Sequence, residues 1–148
     1  MIKGILLAAG QSKRLKNHNK LLKKFKHKEL ILHSFKSIQK SKINQIIIVL
    51  GYQSNEIKKL IKKNKKIKFV FNKKYKYGIS SSIKAGLKKV NKKDRGFIIL
   101  QSDMPFVKTS DINKIYNSIK RKKYLVHALK YKNRIGNPIG FDISILKK

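Results

Sequence analysis

The opening of the chain constrains its fold most. An apolar run, Ile2 to Leu7, breaks off at Ala8-Ala9-Gly10 and is followed by Lys13, Arg14 and Lys16. A short apolar run without alternation is the pattern of a strand covered on both faces, as in the sheet of an α/β protein. The small residues after it leave little side chain to keep a ligand off their backbone N–H groups. Arg14 suits forked contacts with phosphate oxygens, while Lys13 and, further on, Lys20 act as point charges. The loop is neither a Walker A element nor a G-x-G-x-x-G loop, so the two commonest nucleotide loops are excluded. A strand and turn with no ligand is the plain structural alternative, which the rest of the chain must outweigh.

Five further apolar runs are expected to be strands: Ile46–Leu50, Ile67–Phe71, Phe97–Leu100, Tyr124–Leu129 and Ile139–Phe141. Between them, apolar residues recur at helical spacing: Leu30, Ile31, Phe35 and Ile38; Ile57, Leu60 and Ile61; Ile79, Ile83, Leu87 and Val90; and Ile112, Ile115, Tyr116 and Ile119. Strands alternating with amphipathic helices predict an α/β architecture with a mostly parallel sheet. Ser54 with Glu56, and Thr109-Ser110 with Asp111, are helix-start signals. Gly136 to Gly140 is expected to be a turn before the last strand. With no repeat and no Pro/Gly/Ser linker, residues 1–148 are expected to form one domain.

The net charge of +33 attracts phosphate polymers whatever the fold. Arginine occurs only at 14, 95, 121 and 134, and the lysines are spread through every segment without a stripe of interleaved aromatics. Together with abundant Ile and Asn, this suggests a coding bias, and implies non-specific rather than sequence-selective nucleic-acid binding. The absence of cysteine rules out disulfides and thiolate metal sites and fits a reducing compartment, so a cytoplasmic location is expected. The first apolar run is too short for a signal peptide, and no run approaches the length of about 20 residues that a membrane span needs.

A second constellation follows the fourth predicted strand, in Leu100-Gln-Ser-Asp-Met-Pro-Phe-Val107. Asp103 lies where open α/β sheets hold their ligands, and the chain has only six acids. A carboxylate there suits Mg²⁺, a hard cation often held by one or two carboxylates plus substrate phosphates. A turn former is an equally good local reading, since Asp-x-Pro commonly opens a loop. Asn72 and Tyr77-Gly-Ile-Ser-Ser-Ser-Ile83 follow the third strand. Gly78 can adopt a backbone conformation barred to other residues, and Ser80 to Ser82 offer hydroxyls and a helix cap that can face an anion, with a plain capped helix as the alternative.

Taken in order, these pieces resemble the nucleotidyltransferases that act on the molybdenum cofactor, the MobA-like NTP transferase family, and in particular its molybdopterin cytidylyltransferase-like branch. Leu7-Ala-Ala-Gly-Gln-Ser-Lys-Arg-Leu15 with Lys20-Leu-Leu22 is similar to the signature loop L-A-A-G-x-S-x-R-M/L and its downstream K-L-L. Val49-Leu-Gly-Tyr52, Asn72 with Gly78 and Ser82, Leu100-Gln-Ser-Asp-Met-Pro105 and Gly136-Asn-Pro-Ile-Gly-Phe141 correspond to later blocks. The resemblance implies a Rossmann-like, GT-A-like three-layer sandwich that binds a nucleoside triphosphate with Mg²⁺. It also implies transfer of the nucleotide to a phosphorylated acceptor with release of pyrophosphate. Ala-Ala in the loop, rather than Ala-Gly-Gly, resembles the cytidylyl branch and implies CTP, with molybdopterin as the acceptor. By position, Leu7, Ala8, Ala9, Gly10, Asn72, Gly78 and Ser82 would lie along the nucleotide, Arg14 and Lys20 would hold the triphosphate, and Asp103 would bind the metal.

Three departures from the family pattern stand out. Lys16 replaces the usual glycine, with one extra residue before Lys20, so a positive-φ turn is expected at Asn17. Asn137 stands where the late block often has histidine. The chain stops at Lys148, before a Gly-Asp-x-Gly block and further helices, so the domain is expected to be short at its C-terminal end. The competing readings are a nucleotidyltransferase for another phosphorylated acceptor and a catalytically inactive basic module that binds RNA or another polyanion.

Overall fold

A computed structural model describes residues 1–15 and 18–147. In chain order the elements are β1 (Ile2–Ala8), β2 (Lys24–Phe25), β3 (Lys28–Glu29), α1 (Leu30–Gln39), β4 (Gln45–Leu50), α2 (Ser54–Leu60), β5 (Ile67–Phe71), α3 (Ile79–Leu87), β6 (Gly96–Gln101), α4 (Thr109–Lys120), β7 (Val126–Tyr131) and β8 (Arg134–Asp142). Single 3-10 turns occupy Lys20–Leu22 and Tyr75–Tyr77. The six-stranded sheet runs β5-β4-β1-β6-β8-β7, while β2 and β3 pair only with each other. β5, β4, β1 and β6 are parallel, and β8 runs antiparallel to both of its neighbours. The expected mostly parallel α/β sheet is therefore present.

Every residue of β1 is buried, Lys3 included, because both faces of this central strand are covered. On one face, Leu6, Ile46, Ile48 and Ile98 pack against Ile31, Phe35 and Ile38 of α1, Ile57 of α2, and Ile112, Ile115 and Ile119 of α4. On the other, Ile5, Leu7, Ile47, Val49, Phe97 and Ile99 pack against Ile83 and Leu87 of α3. Full burial of each such side chain is worth about 1.5–3 kcal/mol, which makes these two layers the main support of the sheet. Among the described residues, no helix is long and apolar enough to cross a membrane.

The last two strands differ from expectation. β7 begins two residues later than Tyr124, and β8 begins at Arg134, so Gly136 to Gly140 is strand rather than turn. The chain reverses at Lys132 and Asn133, both at positive φ (43° and 63°), the two-residue geometry whose twist matches that of the paired strands. Pro138, which has no N–H to give, falls in the register break between the Ala128–Ile139 and Leu129–Gly136 pairs, where the ladder does not require one. Both helices with start signals begin where those signals lie, α2 at Ser54 and α4 at Thr109. The Asp111 carboxylate accepts the Lys108 N–H (3.0 Å) at the start of α4. Left-handed Gln53 precedes α2, and no side chain caps it.

Candidate active site

Past the last ladder pair of β1 and β6, Ser102 ties the strand ends together through its N–H, which donates to the Leu7 carbonyl at 3.2 Å, and its hydroxyl. Ser102 Oγ donates to the Leu7 carbonyl at 2.6 Å, and the Ser102 carbonyl in turn accepts from Ser34 Oγ at 2.8 Å. Ser102 is buried, so a fixed support lies directly before Asp103. On the other side of β1, the Tyr52 N–H reaches the Ala9 carbonyl (3.3 Å), and Gly51 lets the loop close over it. A Cβ at Gly51 would lie 2.5 Å from Tyr75 Cβ and 2.8 Å from the Ala9 carbonyl oxygen. The small residues at the strand end thus serve close packing of loops as well as open access.

Past Gly10 the chain turns at Ser12, which has φ 50°, and the Leu15 N–H closes onto the Ser12 carbonyl at 2.8 Å. Ser12 Oγ then accepts the Lys20 N–H at 3.0 Å. Lys20 is flanked by buried Asn19 and Leu21. Asn19 Oδ1 accepts the Leu21 N–H (3.0 Å), and its amide donates to the Tyr52 carbonyl (3.4 Å). Hydrogen bonds and burial therefore fix the backbone of Lys20, while its ammonium points into the cleft and meets Asp103 Oδ2 at 3.3 Å. The turn expected at Asn17 lies outside the described residues.

Leu7, Ala9, Gly10, Arg14, Lys20, Gly78 and Asp103, all singled out in the sequence, line one cleft of about 570 Å³ at the carboxyl ends of β1 and β6. Lys13, Tyr75, Lys76 and Gln101 complete much of the wall. Asp103 is the one acid among the lining residues, facing Lys13, Arg14, Lys20 and Lys76. Three of the other acids are engaged elsewhere: Asp94 pairs with Lys3 (2.9 Å), Asp111 starts α4, and Asp142 accepts from Ser144 Oγ (2.6 Å). The Ser144 hydroxyl and N–H hold the Asp142 carboxyl below its ordinary range despite the opposing effect of burial. Such an excess of cations over one carboxylate suits a polyphosphate.

The remaining expected site residues lie elsewhere. Ala8 is fully buried within the sheet. Asn72 and Ser82 are brought together, but with each other: Asn72 Nδ2 donates to Ser82 Oγ (3.1 Å) and Ser81 Oγ (2.8 Å), and Asn72 Oδ1 accepts the Lys74 N–H (3.0 Å). Both are buried and shape the turn leading to Gly78, whose φ of 91° with extended ψ only glycine adopts readily. Sequence reasoning missed Ser12, Asn19 and Ser102 as positioning groups. The only signal for Asn19 was its place before Lys20-Leu-Leu22, as an Asx residue preceding a turn.

Among the described residues, no group of three or more His, Asp or Glu side chains could hold a metal by itself. Asp103 alone fits a hard divalent cation that arrives with a phosphate ligand, since such ions commonly take one carboxylate and complete their shell with phosphates and water.

Comparison with known proteins agrees with this fold. Residues 4–148 match the MobA-like NTP transferase domain. The bifunctional protein GlmU of Clostridioides difficile is 26% identical over 147 residues, covering 99% of this chain and 31% of its own length. The 2-C-methyl-D-erythritol 4-phosphate cytidylyltransferase of Lachnoclostridium phytofermentans is 28% identical over 141 residues, covering 90% of this chain and 58% of its own. The chain thus spans roughly a third to three-fifths of these relatives. The crystal structure of Rv0371c from Mycobacterium tuberculosis superposes with a TM-score of 0.84 at 20% identity, covering 99% of this chain and 73% of that one. A second crystal structure of Rv0371c is a complex with manganese.

Proposed function

Because the chain belongs to the MobA-like NTP transferase domain family, we propose that it is a nucleotidyltransferase. In this reading it binds CTP with Mg²⁺ and transfers CMP to a phosphorylated acceptor, releasing pyrophosphate. One observation carries the proposal: seven residues chosen for a nucleotide site from separate stretches of sequence line a single cationic cleft around Asp103. Arg14 and Lys20 hold the triphosphate and neutralise the charge that accumulates as pyrophosphate leaves. Gly10 leaves the loop backbone open to the ligand: among the described residues, nothing beyond its chain neighbours lies within 4 Å of where a Cβ would stand. Asp103 supplies the carboxylate for the cation, exchanging its contact with Lys20 for it. Mg²⁺ would supply electrophilic stabilisation of the phosphates. The chain's own contribution is alignment and preorganised charge, which suffices for in-line phosphoryl chemistry.

The acceptor we propose first is molybdopterin, on the strength of the Leu100–Pro105 and Gly136–Phe141 blocks, with residues 1–148 acting as one domain. A sugar phosphate or similar acceptor is the second reading, supported by the cytidylyltransferase relative, whose named substrate is a small phosphorylated polyol. Pyrophosphate release from each of the four triphosphates, with molybdopterin and a panel of sugar phosphates as acceptors, tests both. Release confined to CTP with molybdopterin supports the first reading. Release with a sugar phosphate alone supports the second, and none from any triphosphate would remove the enzyme reading.

A further inference from the structure

Lysines that look evenly scattered in the sequence are gathered by the fold. Lys73 and Lys74, from the loop after β5, and Lys84, Lys88 and Lys89, from α3 and its end, line one groove of about 860 Å³. No acid is among the residues that line it. Lys84 and Lys88 are one turn apart on the same helical face, a like-charge spacing that disfavours the helix until an anion is bound. Two aromatic rings share the groove, Phe71 at 52% exposure and Tyr77 at 79%. The groove and the nucleotide cleft have a common wall: along one segment, Lys73, Lys74 and Tyr77 face the groove, while Tyr75, Lys76, Gly78 and Ile79 face the cleft.

Ammonium groups alone would suit any polyanion. Exposed aromatic rings beside them are of no use to inorganic polyphosphate, or to a duplex whose base faces are stacked away. They suit unpaired bases, because every base has a face to stack and successive phosphates then track the lysines. We propose that this groove binds single-stranded nucleic acid without sequence preference, stacking bases on Phe71 and Tyr77 and holding the backbone through Lys73, Lys74, Lys84 and Lys88. The proposal does not depend on the nucleotidyltransferase reading, since none of these six residues lines the cleft.

The test is fluorescence anisotropy with a labelled oligouridylate of about 15 nucleotides, within the usual site sizes for such grooves. Phe71→Ala/Tyr77→Ala is expected to weaken binding about tenfold or more, and Tyr77→Phe to leave it unchanged. Lys84→Ala/Lys88→Ala is expected to lower affinity and to reduce the slope of log affinity against log salt by about 1.4, roughly 0.7 for each phosphate contact. Lys62→Ala/Lys63→Ala, on an exposed stretch outside the groove, serves as the charge-matched control and is expected to change affinity by less than about twofold. The proposal is overturned if the aromatic double variant binds like wild type, or if the control pair loses as much as Lys84/Lys88. It is equally overturned if a duplex of the same length loses affinity to the aromatic substitutions as the single strand does.

Discussion

Strand β6 is flanked by two lysine–aspartate pairs that have the same chemistry and opposite surroundings. Before the strand, Lys3 Nζ meets Asp94 Oδ2 at 2.9 Å with side chains only 5% and 4% exposed. After it, Lys20 Nζ meets Asp103 Oδ2 at 3.3 Å with side chains 52% and 37% exposed. The first pair is saturated: Lys3 also donates to the Lys89 carbonyl (2.7 Å), and Asp94 accepts the Asn91 N–H (2.7 Å) and approaches the N-terminal ammonium (3.6 Å). The second retains water on both partners and can exchange its contact for a ligand. Burial, rather than residue type, separates a structural ion pair from one available for binding.

The largest expected effect lies at the buried pair. Asp94→Asn leaves an ammonium buried without a counter-charge, and breaking such a pair from one side typically costs about 3–5 kcal/mol. Urea denaturation should show this loss, and the simultaneous Lys3→Met/Asp94→Asn change should recover much of it, because the stranded charge is gone. A loss below about 1 kcal/mol would mean that Lys3 finds water on opening, and the contrast between the two ends of β6 would collapse.

The next effect is on ligand rather than on stability. Lys20→Ala is expected to weaken CTP binding in the presence of Mg²⁺ by about ten- to a hundredfold, the equivalent of roughly 1.5–3 kcal/mol for a charged hydrogen bond. Lys23→Ala, nearby and exposed, should change it by less than about threefold. Calorimetric titration of both variants decides this. Equal affinities would show that bulk charge, and not the position fixed by Ser12 and Leu21, holds the triphosphate.

A smaller effect separates the pairs by pH. Burial by itself would raise the Asp94 carboxyl, but the Lys3 ammonium, the Asn91 N–H and the N-terminal charge together outweigh it and hold the group below the usual carboxylate range. A carboxyl depressed in the folded state adds stability that is fully present above its unfolded value, near pH 4. That stability is lost as pH falls through the folded value. The difference in stability between wild type and Asp94→Asn should therefore be constant from about pH 5 to 7 and narrow below about pH 4. A gap that stays constant down to pH 3 would show that Asp94 is not the group titrating.

Much of this contrast was hidden in the sequence, for physical reasons. The parallel strands were legible because burial on both faces leaves an apolar run, as in Ile46–Leu50. The cleft was legible because small, cationic and acidic residues occur together where strands end. Lys3 was not, because a lysine inside an apolar strand looks like any other lysine in a lysine-rich chain until Asp94, 91 residues away, is folded against it. The hairpin at Lys132-Asn133 was missed because neither residue is glycine, and Gly136 and Pro138 nearby carried the stronger turn signal. The fold brings Asn72 and Ser82 together, yet their spacing could not tell a pair facing a ligand from a pair bonded to each other.

The smallest expected effect is also the most discriminating. Asp103→Asn keeps the shape of the side chain and removes its charge, so it breaks the exposed pair with Lys20 while leaving Ser102 and its bonds to Leu7 and Ser34 in place. Exposed pairs contribute about 0–1 kcal/mol, because water and side-chain freedom offset the Coulomb attraction, so the urea midpoint should hardly move. If Asp103 supplies the carboxylate for the cation, the same variant should lose CTP-dependent pyrophosphate release at limiting Mg²⁺. A stable, inactive Asp103→Asn beside an unstable Asp94→Asn is the outcome the two environments require. An Asp103→Asn that loses as much stability as Asp94→Asn would make both pairs structural, and the cleft would then lack the carboxylate on which the proposed chemistry depends.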